Sequence, residues 1–364
     1  MRWEISTPIT AYLVYRSYSH ASLTPAGILT AAVTATIHAL HPSPLPFTLL
    51  VLFFLLGTTA TKVKKEVKAT LTLSSTGSHP RNSAGGTRPS NVLGTIFSGD
   101  WNKTSEYHEK REAAKKASNT AGGQEPRSAV QVLANSGVVS LLCLLHIYLY
   151  GLDDKRDTTA AACFGSLPAR DVILAGIVAN YASVTADTLS SELGILSPRR
   201  PWLILNLREV PPGTNGGITG AGLGAGLAGA LVIGLVSVLF LPSQCSGGLQ
   251  DTLGLVLGIG VWGALGSVLD SVLGATLQAS VVDRRSEKVV EAPNGGRVLV
   301  MAKKEKDEAD GGSGGGKPSR MIGSGRDILD NNQVNFAMAG VMSVGAMGLA
   351  GWVWGVPLRA VWTK

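Results

Sequence analysis

Residues 180–222 read NYASVTADTLSSELGILSPRRPWLILNLREVPPGTNGGITGAG. An apolar run ends here in a carboxylate, continues for two polar turns, crosses a basic linker and enters a glycine-rich turn that opens another apolar run. At 3.6 residues per turn Asn180, Asp187, Ser191 and Gly194 share one helix face, with Ser190 beside them. A carboxylate near membrane depth costs at least ~2.5 kcal/mol on insertion scales, so that face is expected to meet a wet cavity, a cation or a partner. The blander alternative is a helix end that has already reached the headgroups; Glu192, Arg199 and Arg200 follow closely. In the second half, the segment from Pro211 through Gly213, Thr214, Asn215, Gly216 and Gly217 precedes an apolar run. Glycines let backbone amides converge on an anion, and the next helix adds its positive end. A tight entry to a small-residue helix has the same composition.

Outward from this stretch, the chain has a membrane composition. Of 364 residues 45% are hydrophobic and 16% charged, with 45 glycines and a mean hydropathy of +0.22. Apolar runs near 22–40, 44–61, 128–151, 168–188, 217–241, 250–276 and 334–355 approach the ~20 residues that cross a bilayer. The first is Thr- and Ala-rich and is followed by His41, Pro42, Ser43 and Pro44, so the fold is expected to be an all-α, multi-pass transmembrane bundle of six or seven spans. Lys62, Lys64, Lys65 and Lys68 follow the second run, Arg199, Arg200 and Arg208 the fourth, and Arg284, Arg285 and Lys288 the sixth. Positive charge beside span ends marks cytosolic loops, and seven spans with a cytosolic start satisfy the alternation. Arg359 and Lys364 fit it less well.

The expected organisation is an interfacial lead-in over 1–21, a transmembrane pair over 22–61, and a disordered cytosolic loop over 62–126. A core bundle over 127–280, a flexible charged loop over 281–329 and a last motif and helix over 330–364 complete it. The lead-in lacks a signal-peptide pattern. Within the first loop, 103–117 is helix-like, and Asn102, Lys103 and Thr104 form a sequon that would face the cytosol. Gly220 and Gly224, Gly222 and Gly226, and Gly254 and Gly258 recur at four-residue steps, the spacing of close helix packing. Cys143, Cys163 and Cys245 form no CxxC pair and read as packing residues. The +7 formal charge suits an anionic leaflet, not nucleic acid, because the basic residues flank apolar spans.

Polar residues collect at the same ends of several spans. Arg127, Gln131 and Asn135 enter the third; Asp270 lies in the sixth with Gly263, Ser267 and Gly274 on its face; Asp330, Asn331, Asn332 and Asn335 precede the seventh. Each has a structural alternative: Arg127 as a headgroup anchor, the amides as interhelical bonders, Asp330 as an N-cap. Together they suit phosphate chemistry. Two carboxylates, Asp187 and Asp270, with phosphate oxygens are a usual way to hold Mg²⁺, while Arg127 and turn amides neutralise a transferring phosphoryl group. No Ser-His-Asp or Cys-His set accompanies them.

The segments RSAVQVLANSG (127–137), ADTLSSELG (186–194), VPPGTNGGIT (210–219), GSVLDSVLGATLQ (266–278) and DNNQVN (330–335) resemble the transmembrane protein 19 family over about 127–340. That family includes phytyl-phosphate kinases, which turn an isoprenyl monophosphate into the diphosphate, and its motif layout is similar to membrane polyprenol kinases and CDP-lipid synthases. The resemblance implies that Asp187 and Asp270 hold Mg²⁺ and the nucleotide, CTP or ATP, and that Asn215, Gly216 and Gly217 cradle phosphate. Arg127, Asn332 and Asn335 would complete the site, with Gln131, Asn135, Ser191, Glu192, Gly213, Thr214 and Asn331 as further binding residues. Its location would be the endoplasmic reticulum or another endomembrane, and its substrate an isoprenyl phosphate in the bilayer. A transporter or regulatory membrane protein without catalysis is the alternative. Oligomeric state is left open.

Overall fold

The computed structural model describes residues 3–75, 126–151, 164–165, 168–241, 248–292, 295–298, 320–357 and 359. Its helices are α1 (Trp3–Ser19), α2 (Pro25–Leu40), α3 (Leu45–Lys62), α4 (Lys65–Leu71), α5 (Ala129–Tyr150), α6 (Pro168–Gly194), α7 (Gly220–Phe240), α8 (Gly248–Leu277) and α9 (Asn331–Val353). Six of these, α3 and α5 to α9, are long and apolar enough to cross a membrane. Helices suit that setting because they satisfy their own backbone. The count is therefore six by length. The first candidate run forms α2, which at 16 residues is short of the bilayer criterion. It still runs the length of the bundle: Thr24 N donates to Arg127 O (3.0 Å) at one end, while His41, just past the other end, stacks on His146 at a centroid distance of 4.4 Å.

Helix α6 is the axis. Within its apolar window 83% is buried inside the protein, against 33–44% for the other spans, because α3, α5, α7, α8 and α9 all pack on it. Close approach is possible where side chains are absent. A β-carbon at Gly226 of α7 would lie 2.8 Å from Ala186 O, and one at Gly263 of α8 2.7 Å from Ala182 O. The packing expected of the glycine repeats therefore holds for Gly222 and Gly226 but not for Gly220, Gly224, Gly254 and Gly258, which have no described neighbour within 4 Å. Those four face outward, on the side turned away from α6.

Polar side chains inside the bundle join helices. Asn180 Nδ2 donates to Ser343 Oγ (2.9 Å) and Ala339 O (3.3 Å), tying α6 to α9. Tyr181 OH and His38 Nε2 meet at 2.7 Å, tying α6 to α2. Cys143 is free and fully buried, the packing role expected of it; Cys163 and Cys245 lie outside the described residues.

Short strands gather at one end of the bundle. The strands β1 (Leu73–Ser74), β4 (Ser280–Asp283), β5 (Val289–Glu291) and β6 (Arg320–Ser324) form a sheet in the order β1-β5-β4-β6. Here β1 pairs parallel to β5 and the other pairs are antiparallel. β2 (Trp202–Leu203) and β3 (Gly217–Ile218) make a separate antiparallel pair. The loops expected over 62–126 and 281–329 are thus ordered where they leave the helices: α4, β1, β5 and β6 come from them, aided by the β-branched Val289 and Val290. Residues 76–125 and 299–319, including the 103–117 patch and the sequon, lie outside the described residues. The basic segments after α3, α6 and α8 all emerge at this sheet-bearing end.

Candidate functional site

The candidate catalytic and binding residues line one cleft of about 1100 Å³ at the sheet-bearing end: Arg127, Gln131, Asn135, Asp187, Ser191, Glu192, the 213–217 turn, Asp270, Asn331, Asn332 and Asn335; Asn180 and Gly263, on the same helix faces, lie outside it. The walls of the cleft are Phe53 of α3, the short α4 and the ends of α5, α6, α8 and α9, and the four-stranded sheet contributes Leu73, Ser74, Val281, Val290 and Glu291 as a roof. Antiparallel succession explains the gathering. Alternate span ends fall on the same side, so motifs that begin α5 and α9 meet motifs that finish α6 and lie late in α8.

Asp187 and Asp270 are half-buried on packed spans and line the same cleft. Neither forms a salt bridge among the described residues. Asn335, with its amide turned so that nitrogen faces the carboxylate, donates to Asp270 Oδ1 (3.2 Å) and Asn331 O (3.1 Å). No described group of three or more His, Cys, Asp or Glu side chains is placed to hold a metal alone. Two carboxylates without a basic partner, facing an open polar cleft, nevertheless fit an ion that keeps water and takes its remaining ligands from phosphate, as Mg²⁺ does.

Arg127 precedes α5 and is fixed at its backbone, with its N–H donating to Ser22 O (3.0 Å) and its carbonyl accepting from Thr24 N. The side chain does not run to the headgroups. It crosses to α3, where Nη2 donates to Thr61 Oγ1 (3.0 Å) and Nη1 lies over Gly57. Burial lowers the pKa of this guanidinium from its ordinary value, and the Glu192 carboxylate works against that shift; the group stays charged.

The amides expected to bind ligand have partly been recruited by the fold. Gln131 Oε1 accepts from Ser128 N (2.8 Å) in a capping box at the start of α5, and Asp330 forms the equivalent box with Gln333 at the start of α9. Asn135 Nδ2 donates within its own helix to Gln131 O (2.9 Å). In the turn, Asn215 Nδ2 donates to Ala279 O (3.1 Å) and its N–H to Ser280 Oγ (2.9 Å), while the N–H groups of Thr214 and Gly217 are taken up by Pro211 O and Thr214 O. Gly213 and Gly216 hold φ of +85° and +74°, the left-handed region that glycine adopts without strain. The turn is therefore a braced wall of the cleft, with the Gly216 nitrogen packed against Gly274 of α8.

Sequence reasoning missed Lys68, which pairs with Glu192 at 2.7 Å, and the rim residues Lys65, Lys288 and Arg297. Spacing does not separate Lys68 from Lys62, Lys64 and Lys65. The selection is made by the reversal between α3 and α4.

Among curated proteins, Protein PGR of Arabidopsis thaliana is 37% identical over 222 residues, covering 59% of this chain and 65% of its own length. An uncharacterized membrane protein of Methanocaldococcus jannaschii is 39% identical over 105 residues (29% and 40%), and one of Synechocystis is 31% identical over 125 residues (33% and 45%). The matches thus span between two fifths and just under two thirds of these relatives. No solved structure matches the chain. The family described as integral membrane protein DUF92 matches residues 8–98 and 92–343, most of the chain, and the chain belongs to that family.

Proposed function

We propose that the chain is a nucleotide-dependent kinase that converts an isoprenyl monophosphate, phytyl-like in type, to the diphosphate at the cytosolic membrane face. One observation carries the reading: Asp187 and Asp270, from different spans, face a common polar cleft with no described basic partner. Asp187 and Asp270 would hold Mg²⁺ together with CTP or ATP, and the ion would supply positive charge against the phosphates. Arg127 would steady the transferring phosphoryl group. Asn335 keeps the Asp270 carboxylate oriented, and the 213–217 turn would line the phosphate side of the cleft.

The choice of an isoprenyl phosphate rests on the resemblance to the transmembrane protein 19 family and its phytyl-phosphate kinases. The cleft's position supports it, since a lipid phosphate held at a span end keeps its chain in the bilayer. Basic segments at the same end support a cytosolic cleft by charge bias, and the endoplasmic reticulum or another endomembrane is the location proposed with it. A transporter or a regulator without catalysis is the second reading, and it draws on a separate buried group, His41, His146 and Tyr150, near the opposite end. A transport path would use polar groups at both ends. The test is phosphoryl transfer by detergent-purified protein from labelled CTP or ATP with Mg²⁺ to phytyl, farnesyl and geranylgeranyl monophosphates. Diphosphate product supports the kinase; none from a folded, monodisperse sample refutes it.

A further inference from the structure

Four lysines follow the apolar part of α3, and Lys68 is turned inward. It is 7% exposed; its Nζ donates to Ala60 O at 2.8 Å and to Glu192 Oε2 at 2.7 Å. The reversal that aims it is made at Lys64, whose φ of 45° and ψ of 43° are left-handed, a conformation that costs a non-glycine residue ~1–2 kcal/mol. This strained joint folds α4 back over the end of α3 and brings one ammonium group to the cleft wall.

Charges of both signs meet there, Glu291 lining the same cleft. Glu192 pairs with Lys68, and its charge also acts on Arg127; among the described residues Lys68 forms no second ion pair and Arg127 forms none. Arg127 carries five N–H donors, yet its guanidinium makes one hydrogen bond among the described residues, to Thr61. A guanidinium with most of its donors unused, in a partly desolvated wall of an open polar cleft, offers them to an entering anion. Phosphate is suited to it, because its oxygens accept from the planar guanidinium fork and from an ammonium at the same time.

We propose that Lys68 and Arg127 form a phosphate subsite of the cleft in which Glu192 is the resident counter-ion, displaced when a phosphate group enters. The subsite accepts that group from a nucleotide or from an isoprenyl monophosphate. It rests on the kinase reading only in treating the phosphate as a substrate's; binding itself needs no turnover.

The experiment is isothermal titration of the full-length protein in detergent with inorganic pyrophosphate, CTP and farnesyl monophosphate, using the wild type, Lys68→Gln, Lys68→Arg and Glu192→Gln. Charge-assisted hydrogen bonds of this kind are worth about tenfold or more in affinity. Lys68→Gln is expected to weaken pyrophosphate by about that factor, and Lys68→Arg to retain most of the affinity. Glu192→Gln, which removes the competing anion, is expected to bind more tightly than the wild type. Loss on CTP assigns the subsite to the nucleotide, and loss on farnesyl monophosphate assigns it to the lipid. If Lys68 only caps α3, Lys68→Gln lowers stability and Glu192→Gln gains no affinity. That result overturns the proposal, as does unchanged binding of all three ligands by Lys68→Gln, or a wild type that binds none. Where Lys68→Gln does not fold, Glu192→Gln decides by the same sign. A protein that binds pyrophosphate through Lys68 but transfers no phosphoryl group keeps the subsite and loses the kinase.

Discussion

Gly216 lies so close to α8 that a β-carbon on it would come within 2.4 Å of Ala275 Cβ, and as near to Ser271 O. The turn that carries Thr214 to Gly217 is thereby clamped onto the helix that carries Asp270. Gly216→Ala must both push α8 away and hold an unfavourable positive φ. Overpacking of this kind costs about 1–3 kcal/mol, with ~1 kcal/mol or more from the backbone. Thermal unfolding in detergent is expected to show a clear loss of stability, whereas Gly224→Ala, with open space around it, should change little. Equal effects at the two sites would contradict the clamp.

A second relationship lies deeper. His38 Nδ1 is 2.7 Å from Thr34 O, and a carbonyl only accepts, so in the neutral ring Nδ1 carries the proton and Nε2 accepts from Tyr181 OH. Both side chains are fully buried. Tyr181→Phe strands the His38 acceptor and should cost about 1–2 kcal/mol. Tyr181→Phe combined with His38→Leu should cost less than the two single changes added together. Additive losses in unfolding experiments would show that the hydrogen bond contributes nothing.

Acid should act at the opposite end of the bundle. His41, between α2 and α3, has its pKa lowered from 6.5 to about 4, chiefly by burial, with its contact to Ser43 O opposing the shift. His146 stacks on it, and His38 adds a like charge if protonated. A depressed folded pKa means that the folded state prefers the neutral ring. Its stability contribution is complete above about pH 6.5 and is lost as pH falls toward 4, in total about 3 kcal/mol at ~1.4 kcal/mol per unit. The melting temperature should be level above pH 6.5 and fall below it, with a shallower fall in His41→Gln. An identical acid slope in that variant would remove His41 as the cause.

Much of the bundle could be read from the chain because apolar length and basic flanks are local properties. The cleft was legible for a related reason: polar motifs placed at alternate span ends are forced to one side by up-and-down succession. What escaped depends on contacts between distant segments. Val289 and Val290 pair with β1 and β4, yet in sequence they belong to a charged, glycine-rich stretch that looks like a tether. Lys68 is chosen from a run of lysines by one left-handed residue. Asn180 shares the helical spacing of Asp187 but is drawn to Ser343 because α9 packs there. The glycines of the turn suggest an anion cradle, and the structure gives most of their neighbours' amides to the fold first.

The central claim is that Asp187 and Asp270 serve one reaction, and the most direct measurement is Mg²⁺-dependent diphosphate formation by the wild type, Asp187→Asn and Asp270→Asn, purified side by side with matched melting temperatures. The account predicts product from the wild type and a loss of at least about a hundredfold, roughly 3 kcal/mol in the barrier, in each variant. Product formed by either variant at the wild-type rate would contradict it.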